Sequence, residues 1–311
     1  MKKQDLIYVA GHRGLLGSAV VRKLQKEGFN NLLLKTSREL DLRNQAETFK
    51  FFEEYKPQYV FLCAAKVGGI QANMDSPATF LYENMMINAN VMEAARKVEV
   101  KKLLFVASSC IYPRISKIPI KESALLKGEL EPTNEGYAIA KIAGIKLCEF
   151  YRKEYGCNFI SAIPPNLFGI NDHYDLRSSH LLPALILKVH LLKKENATIL
   201  NVWGTGTPRR EFMLSDDCAD ALLFLMNNYV EKSPINCGTG IDHSVVELAY
   251  ATAKVLGVNI TITHDLSKAD GMPKKLIDSS RINDLGWKPN YSLEEGIQIA
   301  YEDFLTKHSN L

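Results

Sequence analysis

What the chain withholds narrows the field first. Its six cysteines (63, 110, 148, 157, 218 and 237) are scattered, with no CxxC pair and no His/Cys ligand spacing. Neither a zinc site nor a disulfide framework is expected, and reduced thiols in a cytoplasmic protein fit better. No apolar run approaches the roughly 20 residues that a membrane span needs. After Lys2-Lys3, only about five apolar residues precede the first glycine, too few for a signal peptide. Blocks of one charge sign are missing as well: 38 basic and 35 acidic residues leave a net charge of +3. No basic cluster is interleaved with aromatics, so nucleic acid is not an expected partner. Repeats and low-complexity segments are absent. What is there, 311 residues at 46% hydrophobic and 23% charged, suits a soluble globular chain of one large domain or two modest ones.

Apolar runs and amphipathic stretches alternate through the first half. Leu6–Ala10, Leu32–Leu34, Tyr59–Ala65, Lys102–Ala107 and Phe159–Ile163 read as buried strands. Helical patterns lie between them, near Leu15–Leu24, Ala46–Tyr55, Pro77–Lys97 and Tyr137–Tyr155. Strands that are apolar throughout and joined by long helices predict an α/β fold: a Rossmann-type, doubly wound parallel sheet. The regularity fades after Gly169. We therefore expect a dinucleotide-binding domain over 1–169, with a return segment near 212–245, and a smaller C-terminal α/β substrate lobe over 170–311. Within that lobe Asn171–Ser179 and Trp203–Arg210 read as loops. Leu182–Leu192, Asp216–Asn228 and Val245–Leu256 read as helices.

Gly11, Gly14 and Gly17 sit at the first strand–helix junction, in the run Gly11-His12-Arg13-Gly14-Leu15-Leu16-Gly17. Glycines there allow a tight turn and close backbone approach, and the helix N-terminus attracts pyrophosphate. The end of the second strand chooses the dinucleotide. An acid there favours NAD through the ribose hydroxyls, whereas cations favour NADP through the 2′-phosphate. The chain reads Lys35-Thr-Ser-Arg38 with no acid until Glu39, and Arg13 is a second cation. NADP(H) is the expected cofactor, although both arginines also read as ordinary solvated side chains. Asp41 and Leu42 follow and can border the adenine.

Tyr137 and Lys141 lie four apart on one helical face. An ammonium there is expected to lower the phenol pKa from about 10. Such a tyrosine can exchange a proton with a carbonyl oxygen. A YxxxK alone is weak, since Tyr250 and Lys254 repeat it. Its company is the glycine run and Ser108, which ends the fourth apolar strand. This set resembles the extended, sugar-nucleotide branch of the short-chain dehydrogenase/reductase superfamily. Further motifs resemble the GDP-L-fucose synthases (GDP-4-keto-6-deoxymannose 3,5-epimerase/4-reductases). They are Ala64–Asn73 (AAKVGGIQAN), Ser108–Pro113 (SSCIYP), Glu131–Gly144 (EPTNEGYAIAKIAG), Ser179–Ala184, Trp203–Phe212 and Asp270–Lys275, spread over nearly the whole chain.

That resemblance implies that Cys110 and His180 exchange ring protons at C3 and C5 of a GDP-4-keto sugar, while Ser108, Tyr137 and Lys141 hold and reduce the C4 ketone. By their residue types alone, Cys110 reads as a packing residue and His180 as a surface or capping histidine. The resemblance also implies that Ala64, Ala107, Pro164, Asn166, Leu167 and His180 border the cofactor. It assigns Lys188, Trp203, Arg210, Asp270 and Lys275 to the sugar nucleotide, and it implies a homodimer paired through a four-helix interface of roughly Pro77–Lys97 and Ala138–Tyr155. Three positions depart from the family wording: Ser37 precedes Arg38, Pro165 stands where threonine is usual, and Phe168 replaces tyrosine. The loop before His180 departs too, which leaves a related GDP-4-keto-6-deoxy sugar, such as a heptose, open as the substrate. A non-catalytic dinucleotide-binding regulator is the remaining reading, disfavoured because Tyr137 and Lys141 are both kept.

Overall fold

The computed structural model describes residues 1–176, 179–268 and 270–308. The first half runs β1 (Ile7–Ala10), α1 (Leu15–Lys26), β2 (Leu32–Leu33), α2 (Gln45–Tyr55), β3 (Tyr59–Leu62), α3 (Ile70–Asp75), α4 (Pro77–Lys97), β4 (Lys102–Val106), α5 (Glu135–Tyr155) and β5 (Phe159–Ile163). The second half runs β6 (Asn166–Phe168), α6 (Leu181–Glu195), β7 (Ile199–Trp203), β8 (Arg209–Leu214), α7 (Ser215–Asn228), β9 (Ile235–Asn236), β10 (Asp242–Ser244), α8 (Val245–Leu256), β11 (Thr261–Asp265), β12 (Lys274–Lys275), α9 (Ser280–Asp284) and α10 (Leu293–Lys307).

Six strands pair in the order β2-β1-β3-β4-β5-β9, all parallel. Their side chains alternate between two cores. Tyr8, Ala10, Leu103 and Phe105 face α2, α4 and α5. Ile7, Val9, Leu104 and Val106 face α1 and α7. Burial on both faces is why these strands are apolar at every position. Ser161 and Asn236 are exceptions, and so is Lys102, which is buried. Its ammonium donates to the carbonyls of Leu225 (3.0 Å), Met226 (2.7 Å) and Tyr229 (2.7 Å), closing the C-terminal end of α7.

The chain leaves this sheet after β5 and returns to it as β9, with α7 packed against α1. The smaller lobe has its own core of Leu185, Leu200, Phe212, Leu248 and Phe304. In its sheet β8 lies between β10 and β12 and also pairs with β6. A separate β11–β7 pair flanks it. Trp203–Arg210, expected as one loop, ends β7 and begins β8, so only 204–208 form the turn. The expected loop 171–179 is irregular where described, and Arg177 and Ser178 lie outside the described residues. Among the described residues no helix is long and apolar enough to cross a membrane.

Candidate active site

Open parallel sheets bind ligands beyond the carboxyl ends of their strands, where strand order reverses. Here that point lies between β1 and β3. The candidate residues cluster beyond those ends: Gly11 after β1, Ala64 after β3, Ser108 after β4 and Pro164 after β5.

Gly11 has φ +81°, and a side chain there would place Cβ 2.8 Å from Ala64 Cα. On Gly17 a Cβ would lie 2.0 Å from the Gly11 carbonyl oxygen. Gly14 differs, since its Cβ would meet only that oxygen, at 3.5 Å. Gly14 is the N-cap of α1, which has no side-chain cap and no acid in its first turn, so its leading N–H groups face outward. His12 Nδ1 is buried without a hydrogen-bond partner. Burial, then Arg13, hold the His12 pKa below its ordinary value. A turn that closes on glycines, an open helix N-terminus and an orphaned buried nitrogen fit a dinucleotide phosphate.

Arg13 and Arg38 are exposed and make no ion pair among the described residues. Glu39, though exposed, is tied to its own turn, accepting from Thr36 N (2.8 Å) and Oγ1 (2.7 Å). Asp41 is held by Arg43, Nε to Oδ1 at 2.9 Å and Nη2 to Oδ2 at 2.8 Å. The two acids that follow β2 therefore each hold a local hydrogen-bond partner. Leu42 is buried, and its carbonyl accepts from Asn90 Nδ2 at 2.9 Å.

Ser108 and Cys110 flank the start of a short 3₁₀ turn, Ser109–Ile111, that follows β4. Lys141 is buried, with Nζ donating to the Val106 carbonyl at 2.8 Å and 5.7 Å from the Tyr137 ring centroid. Burial draws its pKa down to about 8. The expected acidification of Tyr137 is not found. Burial pushes the phenol up, Cys110 adds to the rise, and Lys141 does not offset them. The physical reason is that a buried ammonium committed to a backbone carbonyl does not overcome desolvation of a phenolate. Cys110 is buried too, and burial raises its pKa. Opposing that rise are Lys275 first, then the Ser108 hydroxyl and Lys141. Cys110 thus lies within electrostatic range of Ser108, Lys141, Lys275 and Tyr137.

Lys275 is drawn down by burial and Arg210, and raised by Cys110 and Glu131. Arg210 donates to the Arg209 carbonyl at 2.8 Å, and burial lowers its pKa against the pull of Glu131. Tyr137, Lys275 and Arg210 are crowded by protein yet keep accessible surface, the signature of a concave wall. Lys188 and Trp203 meet nearby: Nζ is 5.7 Å from the indole centroid, and Lys268 approaches that exposed ring at 5.6 Å. Asp270 accepts from Thr205 N (2.9 Å) and Oγ1 (2.7 Å), bracing the turn at Gly204.

His180 is exposed at the N-cap of α6, and surrounding protein and His173 lower its pKa. Among the described residues no hydrogen bond joins it to Cys110 or Tyr137. Asn166 Nδ2 donates to the Glu211 carbonyl at 3.0 Å, Leu167 is half-buried, and Ala107 and Pro164 are buried, the Pro164 carbonyl accepting from Ser109 N at 3.0 Å.

Sequence reasoning missed Glu131, Lys268 and the buried asparagines of α4. Asn84 brackets Lys66, accepting from its N–H (2.9 Å) and donating to its carbonyl (3.1 Å). Asn88 donates to the Ala140 carbonyl at 3.1 Å. Three asparagines inside one long helix, at 84, 88 and 90, were the available signal. Among the described residues no group of His, Cys, Asp and Glu could hold a metal.

The family model described as "NAD dependent epimerase/dehydratase family" matches residues 7–238. A GDP-L-fucose synthase of Sinorhizobium fredii is 51% identical over 300 residues, 96% of this chain and 95% of that protein. The solved GDP-6-OMe-4-keto-L-xylo-heptose reductase of C. jejuni is similar at TM-score 0.92 and 39% identity, with 99% of each chain covered. A GDP-L-fucose synthetase from Naegleria fowleri, solved bound to NADP, has TM-score 0.92 and 30% identity over 99% of this chain and 95% of that one.

Proposed function

The chain belongs to the NAD dependent epimerase/dehydratase family and, within it, to the GDP-L-fucose synthases, and we propose on that premise that it converts GDP-4-keto-6-deoxy-D-mannose to GDP-L-fucose using NADPH. The observation that carries this reading is the thiol of Cys110 in the same site as Ser108, Tyr137 and Lys141. A reductase alone has no use for it, whereas an epimerase does.

NADPH supplies the hydride for C4. The glycine turn and the N-terminus of α1 receive its pyrophosphate, and Arg13 and Arg38 the 2′-phosphate. The C4 ketone makes the protons at C3 and C5 acidic. Cys110 and His180 exchange them from opposite ring faces: the base takes the proton, and the C–H electron pair moves onto the ketone oxygen. Ser108 donates a hydrogen bond to that oxygen. Tyr137, kept protonated by burial, gives its proton there when C4 is reduced, with the Lys141 ammonium beneath. Arg210 and Lys188 meet the diphosphate, Trp203 offers its exposed indole, Asp270 fixes the Gly204 turn, and Lys275 closes the site beside Cys110. Residues 1–169 and the return segment form the dinucleotide side, and residues 170–311 the sugar-nucleotide side. The protein works in the cytoplasm as a homodimer. Exposed Tyr82 and Met85 on α4, with Ile139 and Phe150 on α5, support pairing through a four-helix interface. Loss of the dimer in sedimentation on Phe150→Glu checks that pairing.

The deciding experiment supplies the keto-mannose nucleotide and NADPH in heavy water. The expected result is GDP-L-fucose with deuterium at C3 and C5 and one NADPH oxidised per product. Similarity to the C. jejuni enzyme supports a second reading, a GDP-keto-heptose substrate, which turnover of that sugar alone would favour. NADPH left unoxidised with both sugars refutes the enzyme assignment.

A further inference from the structure

We propose that Glu211 is a positioning residue for the sugar nucleotide: its buried carboxylate pins the strand that carries Arg210 to the large sheet, and so fixes where the guanidinium stands. This rests on the reading that Arg210 meets the diphosphate. Side chains alternate along a strand, so Arg210 and Glu211, neighbours on β8, point to opposite faces. Arg210 is half-buried and Glu211 fully buried.

Arg210 is placed by its own strand and the next one. Its Nη1 donates to the Arg209 carbonyl at 2.8 Å, and its Nη2 lies 3.1 Å from where a Cβ on Gly271 would stand. The segment after Gly271 runs alongside: Arg209 N donates to the Pro273 carbonyl at 2.8 Å, and Lys275 of β12 is in register with Arg210.

Glu211 anchors this strand pair. Its Oε1 accepts from Gly240 N at 2.9 Å and from Thr239 Oγ1 at 3.3 Å, and its Oε2 accepts from Ile277 N at 3.1 Å. The first two donors lie in the turn that continues β9, the edge strand of the large sheet, where Cys237 N still donates to the Ile163 carbonyl at 3.0 Å. The third lies two residues past Lys275. One carboxylate therefore joins the large sheet to β8 and to the end of β12. The turn has closed onto it, since a Cβ on Gly238 would stand 2.3 Å from Oε1. Asn236 repeats the clamp one step further on. Its Nδ2 donates to the carbonyls of Ile120 (2.9 Å) and Asp278 (3.0 Å), and its Oδ1 accepts the Tyr112 hydroxyl at 2.5 Å. A carboxylate accepts at both oxygens, whereas an amide of the same shape does not. Turned either way, a glutamine would set its NH₂ against Gly240 N or Ile277 N and leave a buried N–H unpaired.

The test measures GDP binding by calorimetry and NADPH binding by fluorescence, on the full chain at about pH 8, where Glu211, raised by burial to about 7, is mostly ionised. Glu211→Gln should bind GDP about tenfold more weakly and NADPH within about twofold of the parent. A carboxylate that merely supports the fold would weaken both ligands or neither, and either result overturns the proposal. Arg210→Ala, titrated alongside, checks the reading beneath it. Parent-like GDP binding in Glu211→Gln beside a loss in Arg210→Ala overturns the anchor alone. Parent-like GDP binding in Arg210→Ala overturns that reading and the anchor with it. If Glu211→Gln does not fold, Thr239→Val decides, because it removes only the bond from Oγ1. GDP binding about threefold weaker at parent NADPH affinity supports the anchor, and unchanged GDP binding overturns it.

Discussion

Substituting Gly17 by alanine asks the most of the dinucleotide cradle. The added Cβ would sit 2.0 Å from the Gly11 carbonyl oxygen and 2.6 Å from its carbon. Reaching ordinary contact needs a displacement of about 1.4 Å, since nonbonded carbons settle near 3.5 Å or beyond. Gly11 cannot retreat, because Ala64 lies behind it, within 2.8 Å of where a Gly11 Cβ would stand. Overpacking of this kind costs about 1–3 kcal/mol. At ~2 °C per kcal/mol for a chain of this size, the melting temperature should fall by several degrees. A turn moved by that distance also loses its hydrogen bonds to pyrophosphate, each worth about 1.5–3 kcal/mol when charged. Two such bonds correspond to at least about a hundredfold weaker NADPH binding. Gly14→Ala is the control: its Cβ meets nothing in the protein closer than 3.5 Å. Its melting temperature should hold within about 2 °C, the small loss of an N-cap preference, while NADPH affinity still drops, because the ligand fills that space. Differential scanning fluorimetry and NADPH fluorescence titration read both quantities. Gly17→Ala that melts and binds like the parent would refute the steric reasoning, and Gly14→Ala with unchanged affinity would remove the phosphate from that position.

Tyr137→Phe should lower the reduction rate by about 10²–10⁴-fold while deuterium still enters C3 and C5; full retention of NADPH oxidation refutes the proton-donor role. Arg13→Ala and Arg38→Ala should each weaken NADPH binding while leaving NADH binding within about twofold, measured by paired titrations; equal losses for both would mean that neither arginine meets the 2′-phosphate. Asp172 has Oδ2 buried without a partner, and burial raises its pKa to about 7 from 3.8. Its folded form therefore binds more protons than the unfolded form between these values, so this group makes stability fall as pH rises from about 4 to 7. Asp172→Asn should raise the melting temperature more at pH 8 than at pH 4.5, and an equal shift at both would contradict the buried ionisation.

The large sheet was legible because its strands are apolar on both faces and its crossover helices are long. Pro77–Lys97 and Phe159–Ile163 match residue for residue. In the small lobe the helices were legible, Val245–Leu256 residue for residue, but the strands were not, for a physical reason. Its strands are short or half-exposed, such as β7 with exposed and buried residues in strict alternation and the two-residue β12. They gain their identity from partners far along the chain rather than from local pattern. Helix α10, with its capping box at Ser292 and Glu295, was readable from sequence and was overlooked. At the site, spacing singled out the phenol, and the family motifs alone pointed to the thiol. The direction of the Tyr137 pKa was beyond them, because desolvation depends on everything packed around the ring. The positions of Glu131 beside Arg210 and Lys275, and of Asn236 under Tyr112, are likewise products of tertiary approach.

The late return of β9 to the edge of the first sheet, with α7 laid across α1, has a consequence for how such chains can be cut or recombined. A gene fragment ending at Gly169 would encode a sheet with a bare flank and one apolar face covered by α1 alone, so it should aggregate rather than fold. New substrate preferences in this architecture therefore have to be grafted one surface loop at a time, because the half that meets the sugar cannot be exchanged as a cassette.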